Sequence, residues 1–187
     1  MSAPAVTAQP ADTIWRQVPN VLTMFRIALV PLLVYAIGED PTGSALAVSI
    51  FVVAAVTDVA DGQIARRQAV VSTFGKLFDP LADKLLVGGA LVALMVQDQV
   101  APWIVAVILG RELAVTVLRW HAKREGIIIP ASLWGKAKMV LQRAALAALL
   151  AVPGEGWVDV LLYVTVFATV MSGIDYALNL RRRADPV

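Results

Sequence analysis

The stretch TDVADGQIARRQAVVSTFGKLFDPLADK, residues 57–84, carries four aspartates, Asp58, Asp61, Asp79 and Asp83, in a chain that is 59% hydrophobic. Apolar runs flank it, ALAVSIFVVAAVT (45–57) before and LLVGGALVALMV (85–96) after. Neither run is long enough to cross a bilayer alone. A hydrocarbon core of about 30 Å takes roughly 20 helical residues, and 45–57 supplies 13 uncharged ones. The helix must therefore continue through Asp58 and Asp61 to Arg66 and Arg67. At 1.5 Å per residue, Asp58 then lies about 13 Å along the axis from Arg67, and Asp61 about 9 Å. The run after the stretch is equally short, so Asp79 and Asp83 belong to the opening turns of its helix. Two consecutive helices thus bring four carboxylates to similar depth.

The rest of the chain supports this reading. Its 187 residues have a mean hydropathy of +0.74 and only 16% charged side chains, a composition of polytopic membrane proteins. Cysteine is absent, which excludes disulfides and thiolate metal sites. Residues 1–11 lack a basic n-region and an apolar h-region, so they read as a mobile tail, not a signal peptide. Residues 12–20, with Trp15 and Arg16, suggest a short interfacial helix. The expected fold is an all-α integral membrane protein with six transmembrane helices, at 21–37, 45–66, 76–96, 102–123, 133–152 and 158–180. Residues 21–180 would form the catalytic domain and 181–187 a basic cytoplasmic tail. The loops after spans one, three and five contain no Lys or Arg and carry Glu39, Asp40, Asp98 and Glu155. Arg66, Arg67, Lys76, Lys123, Arg124, Lys136, Lys138 and Arg181 to Arg183 fall on the other side. The positive-inside rule makes that side, and both termini, cytoplasmic.

Asp58 and Asp61 are three residues apart, Asp79 and Asp83 four, so each pair shares a helix face. A lone intramembrane Asp often pairs with an Arg for packing. Two spaced pairs resist that explanation, because unpaired carboxylates are costly at depth. Converging carboxylates call for a positive charge between them. With no cysteine ligands and a single histidine, His121, elsewhere, an all-oxygen set favours Mg²⁺ or Mn²⁺, and two such ions suit phosphoryl displacement. Gly62 and Ala65 clear the face beside Asp61 for a bulky group, and Gly75, after Ser72 and Thr73, fits a helix start.

The pattern Asp58-x₂-Asp61-Gly62-x₂-Ala65-Arg66-x₈-Gly75-x₃-Asp79-x₃-Asp83 resembles the signature of the CDP-alcohol phosphatidyltransferase family at all eight defined positions. The similarity extends from NVLTMFR (20–26) to the last span. It implies an integral membrane enzyme, commonly a homodimer, that uses a CDP-linked lipid or alcohol and releases CMP. It further implies that Asp58, Asp61, Asp79 and Asp83 hold two Mg²⁺ or Mn²⁺ ions and that Asp83 is also the general base. Asp58, Asp61, Gly62, Ala65, Arg66, Gly75 and Asp79 would bind the CDP moiety. The implied location is the bacterial inner membrane, with the site facing the cytoplasm.

FDPLADK (78–84), GRELAVTVLR (110–119) and SLWGKAKMVLQ (132–142) look like the phosphatidylglycerophosphate synthase branch of that family. That branch joins CDP-diacylglycerol to sn-glycerol 3-phosphate. Arg111, Arg119, Lys136, Lys138 and Arg143 are the candidates for binding the acceptor phosphate, as Arg forks and Lys point charges do. Arg26 belongs to the same basic set, and Glu112 is suited to pairing with a neighbouring helix. Snorkelling or an ion pair is an equal alternative for any one of these basic residues. Two other readings stand beside this one: the same chemistry with inositol phosphate or phosphatidylglycerol as acceptor, or a divalent-cation carrier. Membrane lipid is an expected partner and nucleic acid is not. His121, Trp103, Trp134 and Trp157 read as helix-end residues at headgroup level. Asp175 is expected to pair with the terminal arginines, and Gly88-Gly89-Ala90 to permit close helix contact.

Overall fold

The computed structural model describes residues 10–40, 43–68, 73–126 and 132–184, and side chains within 21–40, 43–58, 80–126 and 132–183. These residues form six helices: α1 (Pro10–Glu39), α2 (Ala45–Gln68), α3 (Thr73–Val96), α4 (Pro102–Arg124), α5 (Leu133–Ala151) and α6 (Gly156–Ala184). No strand occurs among the described residues. α2 does run through Asp58 and Asp61, and α3 opens before Asp79, as the span-length arithmetic requires. One expectation changes in form. The segment 12–20 is helical, but it is the start of α1 and continuous with the first expected span. Most of the tail 1–11, and 185–187 of the basic tail, lie outside the described residues; 181–184 extend α6.

Local chemistry sets the helix ends. Ser44 opens α2 by accepting a hydrogen bond from Ala47 N–H at 3.2 Å, and Ser132 opens α5 by accepting from Gly135 N–H at 3.1 Å. Pro102 stands in the first turn of α4, where its missing N–H costs nothing. Gly43 has φ +121°, and a Cβ there would lie 3.1 Å from Ala151 O, so this turn needs glycine on both counts. Gln97 Nε2 donates to Gly38 O at 3.3 Å, tying the end of α3 to that of α1.

α1 packs along α2 and α3, α5 along α6, α4 against α6, and α2 against α5; α3 touches α4 and α5 more lightly. The buried apolar cluster draws on Leu33 and Ile37 of α1, Ala47 and Phe51 of α2, Leu91 and Leu94 of α3, Ile104 and Ile108 of α4, Leu149 of α5 and Val158 of α6. These lie in the last turns of odd helices and the first turns of even ones. The apolar core therefore fills one end of the bundle. Apart from Glu39, the charged residues of α1 to α5 gather at the other.

Large apolar side chains also cover the outside, among them Tyr35, Val56, Leu113, Val140 and Phe167. Among the described residues, two stretches are long and apolar enough to cross a membrane, Val21–Glu39 and Gly156–Arg183, and Ala45–Asp58 is a shorter apolar one. Inside, α6 presents Thr165, Thr169 and Ser172, whose hydroxyls donate to carbonyls three or four residues back and so stay satisfied without water. The close contact expected around Gly88-Gly89 occurs at Gly89, where a Cβ would meet Val30 Cγ1 at 3.1 Å.

Candidate active site

Four helices deliver the first cluster. Arg26 of α1 is fully buried, and its Nη1 lies 3.0 Å from Asp58 Oδ1. Arg143 Nη2 of α5 donates to Asp58 Oδ2 at 2.6 Å and to Asp83 Oδ1 at 2.7 Å. Asp58 of α2 and Asp83 of α3 thus converge on one positive centre. Two arginines and two aspartates make a formally neutral set, which is how charges persist in a low-dielectric bundle. Pro80, in the interior of α3, stands between Asp79 and Asp83 and removes one intrahelical donor from that turn.

Asp61, Gly62, Ala65 and Arg66 lie on the last turns of α2, and Gly75 and Asp79 on the first turns of α3; their side chains are outside the described residues. Among the described residues, no group of three or more acidic or histidine side chains could hold a metal ion. The two described members of the quartet nonetheless fit a hard cation. Asp58 Oδ2 and Asp83 Oδ1 are anionic oxygens from separate helices that already meet on a shared cationic group.

A second cluster adjoins the first across α3, α4 and α5. Glu112 of α4 is its centre. Lys138 Nζ donates to Glu112 Oε1, Lys84 Nζ lies 3.4 Å from Oε2, and Arg111 Nη1 is 3.5 Å from Oε1. Lys84 also donates to Thr116 Oγ1, which in turn donates to Glu112 O at 2.6 Å. Lys84, Glu112, Thr116 and Lys138 line a cavity of about 330 Å³, whose polar wall is completed by Asp83, Gln142 and Arg143. Leu81, Leu113 and Met139 flank it and are exposed on the outside of the bundle. The cavity is therefore charged at depth and apolar at its sides.

Of the five residues expected to bind an acceptor phosphate, Lys138 and Arg143 line the cavity. Arg111 reaches it indirectly, through Glu112. Lys136 is exposed and is not part of the lining, and Arg119 sets its guanidinium 5.8 Å from the Tyr176 ring centroid. Lys84 and Thr116 are lining residues that the sequence reading did not single out. The signal for Lys84 was available: a charge inside an apolar helix carries the same implication as Asp83 beside it. Glu112 pairs with neighbouring helices, as its position suggested. Asp175 accepts from Asn179 Nδ2 at 3.2 Å and makes no ion pair among the described residues. His121 is exposed and pairs with Glu125 at 3.1 Å.

The described residues thus form a helical bundle in which Asp58 and Asp83 stand beside a cavity lined by Lys84, Lys138 and Arg143. The chain belongs to the CDP-alcohol phosphatidyltransferase family, whose model matches residues 16–171. It is similar to the CDP-diacylglycerol–glycerol-3-phosphate 3-phosphatidyltransferase of Bacillus subtilis, 38% identical over 177 residues, covering 84% of this chain and 92% of that protein. The enzyme of the same name from Rickettsia felis is 35% identical over 169 residues, covering 86% and 93%. The chloroplastic/mitochondrial CDP-diacylglycerol–glycerol-3-phosphate 3-phosphatidyltransferase 1 of Arabidopsis thaliana is 39% identical over 175 residues, covering 82% of this chain and 59% of its own length.

Proposed function

We propose that the chain transfers the phosphatidyl group of CDP-diacylglycerol to sn-glycerol 3-phosphate, giving phosphatidylglycerophosphate and CMP. The observation that carries this reading is the juxtaposition of Asp58 and Asp83 with a cavity walled by Lys84, Lys138 and Arg143. The named activities of the relatives support the choice of donor and acceptor.

In this mechanism the cavity holds the acceptor phosphate against Lys84 and Lys138, with Arg143 between it and the aspartates. The acceptor C1 hydroxyl oxygen attacks the lipid-side phosphorus of the pyrophosphate. A new P–O bond forms there, and the bond to the CMP phosphate breaks, its electron pair leaving with CMP. Asp83 Oδ1 is engaged by Arg143, and Oδ2 takes the hydroxyl proton. Arg66 stabilises the charge on departing CMP. Asp58, Asp61, Asp79 and Asp83 would hold two Mg²⁺ or Mn²⁺ ions, which when bound neutralise the pyrophosphate and the leaving group. Gly62, Ala65 and Gly75 make room for the cytidine phosphate. Leu81, Leu113 and Met139 give the acyl chains an apolar flank while the headgroup reaches the charged wall.

All six helices cross the membrane in this reading, with the charged end and both termini in the cytoplasm of a bacterium. The outward apolar side chains and the lack of Lys and Arg in three alternate loops support it. The protein works as a homodimer. Purified chain in mixed micelles with CDP-diacylglycerol and Mg²⁺ should release CMP on addition of glycerol 3-phosphate. CMP release with inositol phosphate or phosphatidylglycerol alone would reject the acceptor.

A further inference from the structure

Glu112 is surrounded by three cations from three helices, Lys84, Arg111 and Lys138, each on a carboxylate oxygen. Asp58 is matched by Arg26, and both Asp58 and Asp83 by Arg143, while Asp83 also lines the cavity beside the lysines. Arg119, the other nearby cation of α4, turns to Tyr176 and is not part of the cavity lining. By formal charge Glu112 and its three cations sum to plus two; Lys84, Lys138 and Glu112 line the cavity together with Asp83 and Arg143, so the wall itself is left with one positive charge. A phosphate monoester at neutral pH carries close to two negative charges.

We propose that Glu112 limits the positive charge of this pocket, making it a specificity-determining residue for the acceptor phosphate. The inference rests on the acceptor pocket proposed above and assigns Glu112 a part in it. Without the carboxylate, Lys84, Lys138 and Arg143 would face the cavity with Asp83 alone against them, and would draw in any small anion, free phosphate included. With it, the wall keeps one positive charge, which a single acceptor phosphate offsets. Glu112 also spaces Lys84 and Lys138 by engaging one with each oxygen.

Thermal unfolding of the full-length chain in detergent, titrated with inorganic phosphate and without CDP-lipid, tests the idea independently of turnover. Glu112→Gln should reach half-maximal stabilisation at a roughly tenfold lower phosphate concentration than the wild type. Glu112→Asp should stay near the wild-type value, and Lys84→Met should shift in the opposite direction. In turnover, Glu112→Gln should show a lower KM for glycerol 3-phosphate together with stronger competitive inhibition by phosphate. An equal or higher phosphate requirement in Glu112→Gln would overturn the proposal, because the carboxylate would then serve only to hold its lysines. A wild type that responds to phosphate but releases no CMP with glycerol 3-phosphate would reject the reaction and leave the charge-setting role of Glu112 to the titration.

Discussion

Arg143 occupies a position from which one nitrogen reaches carboxylates on two helices. Replacing it with Met removes the positive charge they share, and Asp83 loses the one partner described for it. We expect Arg143→Met to cost about 2 kcal/mol of stability, below the 3–5 kcal/mol of a fully buried pair because these groups keep some exposure. Thermal unfolding in detergent checks the first effect, and a CMP release at least tenfold below wild type, from misplaced aspartates, checks the second. Asp61→Asn should abolish CMP release while the protein still inserts in the membrane; retained turnover would argue against metal binding there. At this scale the acids were legible and their counter-ions were not. Spacing alone marks Asp58, Asp61, Asp79 and Asp83 as sharing two faces. Nothing local links Asp58 to Arg143, 85 positions away, and only the packing of α2 against α5 brings them together. Lys84 was passed over for a related reason: its partners, Glu112 and Thr116, belong to a helix that the spacing rules do not connect to it.

The elements were far more legible than their contacts. Helix length against bilayer thickness forced α2 through its aspartates, and Pro and Gly marked the breaks at Gly43, Pro102 and Gly154. The join between 12–20 and the first span was missed because an interfacial segment and a helix start share the same composition. Two element-scale outcomes follow from local geometry. Ser132→Ala removes the N-cap of α5, the helix bearing Lys138 and Arg143, and should cost about 1 kcal/mol. Gly89→Leu should cost about 1–3 kcal/mol, because its side chain must enter the space held by Val30 and Val34 and push α1 from α3. Chemical or thermal unfolding reads both. A neutral Gly89→Leu would show that this helix pair yields without strain.

On the scale of the whole molecule, the absence of cysteine makes topology directly measurable. A single cysteine at Glu155, exposed at the apolar end, should react with an impermeant maleimide in intact cells. One at Arg183, exposed at the other end, should react only after permeabilisation. Labelling of both from outside would overturn the six-span topology. The division of the bundle into two ends has an electrical meaning as well. Leu33, Phe51, Leu91, Leu94, Ile108, Leu146 and Val158 close one end with side chains at most 2% exposed, while Asp58, Asp83, Lys84, Glu112, Lys138 and Arg143 sit at the other. An enzyme that needs charges within a membrane risks becoming a leak for protons and metal ions. In the six-span topology proposed above, the apolar end would be an insulator in series with the charged cavity, and a membrane voltage would fall across it. Proteoliposomes holding the protein should keep an imposed potential as well as empty ones do. Such an arrangement would let an energised membrane carry many copies of this chain without losing its gradient.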